Sequence, residues 1–117
     1  MDESIFNSIK LMLGVVPDFT AFDQQILICI NTALNAATQI GVGPTEGFRI
    51  TGPDEKWSDF YGDDIRIDAV KSYIYIKTRM LFDPPQNSSL TQALKDEQAE
   101  IEWRLISDLE HPPEYGG

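Results

Sequence analysis

The sequence predicts an all-α fold, a small bundle of about four helices around one central buried helix. Three observations predict it. Apolar residues recur at helical spacing in four separate stretches. Each stretch is bounded by glycine, proline or a side chain able to cap a helix. One segment alone, residues 41–62, breaks the helical period, and glycine and proline punctuate it. A chain of 117 residues is long enough for one domain with a modest core and too short for two. The expectation is therefore a single helical domain over 1–110, with loop 41–62 projecting between helices two and three, and a disordered tail over 111–117.

The central helix is read from Asp63 to Phe82. Gly62 breaks what precedes it, and Asp63 or Asp64 is placed to cap its start and face the positive end of its dipole. Pro84 disfavours helical geometry at Asp83, so the helix stops near Phe82. Ile65, Ala69, Tyr73, Ile76 and Met80 share one side, and Ile67, Val70, Ile74 and Leu81 fall on an adjoining one. An apolar arc that wide suits a helix with neighbours on more than one side. Arg66 and Lys77 sit inside the arc, either laying their stems along the bundle or reaching acidic groups on an adjacent copy.

The other elements follow in order. Residues 2–13 read as a short helix carrying Ile5, Phe6, Ile9, Met12 and Leu13, stopped by Gly14. A second helix runs to Ile40 with Thr20 and Asp23 as its capping box. Its stripe is Phe22, Ile26, Ile30, Ala33, Ala37 and Ile40, widened by Leu27 and Leu34. In the loop, Phe48-Arg49-Ile50-Thr51 and Lys56-Trp57 flank Gly52-Pro53-Asp54-Glu55, which fits a small β-hairpin or an extended loop. Trp57, Phe60 and Tyr61 suit one short helical turn that docks the loop's base. The last helix starts at Ser88 or Ser89, with Ser89 and Gln92 at capping-box spacing. Leu90, Leu94, Ile101, Leu105 and Leu109 form its core stripe, while Ala99, Trp103 and Ile106 lie nearly opposite. That second stripe is either a contact surface for another chain or a Trp103 folded back over its own domain.

Composition excludes several function classes. The formal net charge is −10, which argues against ordinary binding to the phosphate backbone. No apolar run approaches the roughly 20 residues that cross a bilayer. The start MDESIF is acidic where a signal peptide is basic, which points to a cytosolic protein. Cys29 has no cysteine partner and lies in an apolar helical run, so it reads as a small buried hydrophobe. His111 is the only histidine and lies in the tail, which leaves no set for His-based acid–base or metal chemistry. The glycines around Val42 lack the trailing Gly-Lys-Ser/Thr of a phosphate loop. Asp63, Asp64 and Asp68 read as capping plus a solvated face rather than a Mg²⁺ site. Asp96, Glu97, Glu100 and Glu102 read as an exposed acidic face partly paired with Lys95 and Arg104. The expectation is no enzyme, no cofactor and no metal.

Taken together, the pieces resemble the small α-helical head–tail connector (adaptor, or head-completion) proteins of siphophages and their prophages. The resemblance covers about residues 4–108. It is carried by Phe22-Asp23 with the apolar run to Ile30-Asn31, by Ile40-Gly41-Val42-Gly43-Pro44 with Gly47-Phe48, and by Trp57 and Phe60. It continues through Val70-Lys71-Ser72-Tyr73-Ile74-Tyr75, Lys77, Arg79 and Leu81-Phe82-Asp83-Pro84-Pro85 to Glu102-Trp103-Arg104. The resemblance implies a structural protein of the virion neck, made in the host cytoplasm, that forms a homo-oligomeric ring, a dodecamer in the virion and a monomer before assembly. It implies a portal protein on one side, a head-closure or tail protein on the other, and packaged DNA passing through unbound. Interface residues expected on this basis are Phe48, Arg49, Ile50 and Trp57 of the loop, Arg66 and Lys77 of the central helix, and Ala99, Trp103 and Ile106 of the last. The alternatives are a small acidic DNA mimic that inhibits a DNA-binding protein, or an unrelated helical adaptor.

Overall fold

Local chemistry sets where each helix begins and ends in the computed structural model, which describes residues 3–61 and 66–110, the side chains of 108–110 excepted. Five helices and no strand occur among the described residues: α1 Ile5–Met12, α2 Asp23–Gln39, α3 Trp57–Tyr61, α4 Ile67–Phe82 and α5 Ser88–Glu110. The fold is an all-α bundle. Its α4 lies against both α2 and α5, and α1 covers α2.

Three helix starts differ from those the spacing suggests. In α1 the Ser4 hydroxyl accepts from the Asn7 N–H at 3.2 Å, so the helix begins at Ile5 rather than near residue 2. Ser4 is extended, and beside it Trp57 N–H donates to the Glu3 carbonyl and Ile5 N–H to that of Glu55, both at 3.1 Å. In α2 the Thr20–Asp23 capping box does not form, and Phe22 stands at the cap with no side-chain bond. The Asp23 carboxylate instead meets the Lys10 ammonium at 2.8 Å. Lys10 is 3% exposed and also donates to the Pro17 carbonyl at 3.1 Å. A buried ammonium without an anion is costly, so this long-range demand overrides the local cap. In α5 neither Ser88 nor Ser89 caps. The Asn87 side-chain oxygen accepts from the N–H groups of Ser89 at 2.8 Å and Leu90 at 3.2 Å, and Gln92 turns to Asp96. The expected capping by Asp63 or Asp64 lies outside the described residues.

The core is one cluster. Ile26, Ile30, Ala33, Leu34 and Ala37 of α2 join Val70, Tyr73, Ile74 and Ile76 of α4 in it. The alanines let the two helices come close, and each buried Ile or Leu contributes about 1.5–3 kcal/mol. From α5, Ile101 and Leu105 are buried, whereas Leu90 and Leu81, both expected in core stripes, are exposed. Phe22 is exposed as well, because it sits at the helix edge before the first turn. Cys29 is only half-buried.

The Gly/Pro-rich segment forms no hairpin among its described residues. It is pinned instead. Val42, Ile50, Trp57 and Phe60 enter the core. The Asn31 side chain grips the Ile50 main chain twice, accepting from its N–H at 2.7 Å and donating to its carbonyl at 3.0 Å. Trp57 Nε1–H donates to the Ser8 hydroxyl at 2.8 Å. The short α3 is the docking turn expected of Trp57, Phe60 and Tyr61. Gly43 has φ +86°, and a Cβ there would lie 2.4 Å from the Phe60 ring.

One polar contact fastens α5 to α4. Tyr73 is buried and its hydroxyl bonds the Glu102 carboxylate. Burial, then the Glu102 charge and that bond, push the phenol up to about 12.

Three outcomes are expected. Ile74→Ala lowers the unfolding free energy by about 2–5 kcal/mol in urea denaturation. Gly43→Ala lowers it by about 2–3 kcal/mol, from the left-handed backbone and the Phe60 contact together. In an alkaline titration followed by tyrosinate absorbance, one tyrosine of the four resists ionisation until about pH 12. The folded state then holds a proton that the unfolded state has released, so the Tyr73 contribution to stability is present below about pH 10 and is lost as pH rises towards 12. Tyr73→Phe removes that alkaline loss from the melting curve.

Candidate interaction surface

The rotation of α5 about its axis decides what it shows to solvent. Ile101 and Leu105 point into the core, and Glu102 reaches Tyr73. At roughly 100° per residue, Trp103 must then face away. It is 69% exposed. Ala99, Glu102, Trp103 and Ile106 line one shallow open groove of about 280 Å³ on that side. The groove is mostly apolar, and Glu102 is its one acidic lining residue. Glu100 pairs with Arg104 at 3.7 Å, one helical turn apart, and both remain exposed. Trp103 is therefore not folded back over its own domain.

The expected loop residues divide. Phe48 is half-buried with its ring 5.3 Å from that of Phe60, and Arg49 is exposed. Both line an open cleft of about 460 Å³ with Asn31, Asn35, Glu46 and Gly47. Ile50 is wholly buried and Trp57 is 2% exposed, so these two serve the chain's own core and offer no surface to a partner. The physical reason is that a loop of this length hides its large apolar groups wherever the bundle leaves a gap.

Arg66, just before α4, and Lys77 within it are half-buried. The Arg66 guanidinium lies over the Tyr61 ring, 5.9 Å from its centroid. Lys71 lies similarly over Trp57 at 5.8 Å, and Arg79 donates to the Tyr75 hydroxyl at 3.2 Å. Several of the chain's few cations are thus held against its own aromatic rings.

Two features escaped the sequence reading. Asn31 sits in an apolar run with nothing nearby to announce its partner 19 residues away. Phe19 and Phe22 belong to an aromatic group at one end of the bundle, for which Pro17 followed by aromatics three apart was the available signal.

Burial pushes the Cys29 thiol up, away from the thiolate a nucleophile needs. Among the described residues no group of three or more His, Cys, Asp or Glu is placed to hold a metal ion. No helix there is long and apolar enough to cross a membrane.

No curated protein and no solved structure matches the chain. A family model described as phage connector protein matches residues 5–111, from the first residue of α1 to just past the end of α5. With that span covered, the chain belongs to the phage connector protein family.

Proposed function

We propose that this protein is a structural component of the phage neck that assembles as a ring below the portal, extends the DNA channel and joins head to tail. The observation that carries this reading, beside the family match, is the exposed Trp103 stripe on α5. A large aromatic side chain left in water beside Ala99 and Ile106 suits a chain that works by being joined to others. The stripe serves contact with the portal or a neighbouring subunit. Phe48 and Arg49, on the outer side of the loop, serve a second contact, and Arg66 and Lys77 support it from α4. The portal lies on one side and a head-closure or tail protein on the other.

The charge fits the same role. With a net charge of −10, a channel wall built from this chain repels phosphates and lets DNA slide, where a basic wall would hold it. The protein acts as a fitting rather than a catalyst. Its place is the virion neck, reached from the host cytoplasm during assembly.

Trp103→Ala is expected to leave the melting temperature of the isolated protein within a few degrees of wild type, because the ring is exposed. The same substitution is expected to reduce incorporation into particles, read by the protein's abundance in purified virions. A normal abundance of the variant, or absence of the wild-type protein from virions, would refute the reading.

A further inference from the structure

Where α5 ends bears on what covers Trp103. The helix stops at Glu110, seven residues past Trp103. Seven residues make two turns less about 20°, so the backbone leaves the helix on Trp103's own side, roughly 10 Å along the axis. Ile106, which shares the groove with Trp103, lies between them on that side.

The sequence continues as His111-Pro112-Pro113-Glu114-Tyr115-Gly116-Gly117, outside the described residues. Its chemistry narrows what it can do. Pro112 disfavours helical geometry at His111, and neither proline has an N–H with which to continue the helix. Consecutive prolines favour the extended polyproline conformation, which loses little entropy when it docks on aromatic rings. At about 3.1 Å per residue, Pro112 to Tyr115 spans about 12 Å, which matches the distance back to Trp103. Apart from its first residue, the segment lies beyond the family match.

The groove suits such an occupant. Its volume of about 280 Å³ is small, at or below the roughly 300–1,000 Å³ of a ligand pocket. That is room for a few side chains rather than for a helix. Trp103 is 69% exposed, so its ring offers a large apolar face. Charge opposes the contact little. Glu114 is the one carboxylate in 111–117, and Arg104 is at hand beside Trp103, its pairing with Glu100 long at 3.7 Å and exposed. Tethering decides between occupants: a segment joined to the helix by one or two residues is present at high effective concentration, which no separate molecule matches.

We infer that the segment after α5 folds back and lays Pro112, Pro113 and Tyr115 over the Trp103 ring. Its consequence rests on the neck reading above: the segment shields the contact stripe in the free chain, and a partner reaches Trp103 by displacing it.

Acrylamide quenching of tryptophan fluorescence tests this in the full chain. There are two tryptophans, and Trp57 is 2% exposed, so quenching reports on Trp103. Pro112→Gly combined with Pro113→Gly, and separately Tyr115→Ala, are each expected to raise the quenching constant about twofold over wild type, the change for a cover seated half of the time. None of these positions belongs to the core cluster, so the melting temperature is expected to stay unchanged. Proline ring protons are also expected to lie upfield in the NMR spectrum and to return on Trp103→Ala. Equal quenching of wild type and variants, or proline protons that Trp103→Ala does not move, would overturn the fold-back. Protection that grows with protein concentration would assign the cover to another copy and overturn it too. Abundance in virions judges the neck reading separately, so either can fail alone.

Discussion

Burial of α4 on two sides is the constraint from which the other features descend. The helix lies against both α2 and α5 and buries Val70, Tyr73, Ile74, Ile76 and Thr78. A helix packed on one side can rotate a little to suit its neighbours. One packed on two cannot turn without dragging apolar groups into water on one side or the other. Tyr73 transmits that fixed rotation to α5 through Glu102, with Ile101 and Leu105 seated alongside. Exposure of Trp103 is then a geometric consequence of how α4 is held.

The surface reflects the same economy of polar groups. Lys10 is inside and committed to Asp23, Arg66 and Lys71 lie over aromatic rings, and Arg79 bonds Tyr75. The outside is left acidic over much of α5, with large apolar side chains such as Trp103, Leu11, Ile28 and Phe22 in water. An acidic exterior resists phosphates, as the proposed role beside DNA requires.

Much of the fold was legible in the chain. The four long or moderate helices, the docking turn at Trp57 and the stop at Phe82 follow from period-3.6 patterning and from glycine and proline. The family resemblance was also legible, in the order of short motifs rather than in any one of them. What was not legible shares a cause. Asp23 left its capping role for Lys10, Asn31 reached Ile50, and Ile50 and Trp57 turned inward. Each of these depends on a partner distant in sequence, and local spacing carries no information about it.

The sequence by itself determined which segments are helical, that the domain is all-α, and that one helix must be sheathed. Those are local matters of propensity, capping and periodicity, decided within a few residues. Only the tertiary structure decided which apolar residues stay in water. Phe22 and Trp103 both sit on apolar stripes, as Ile26 and Ile101 do, yet the first two are exposed and the second two buried. Stripe membership is a property of one helix, whereas burial requires a second surface to arrive.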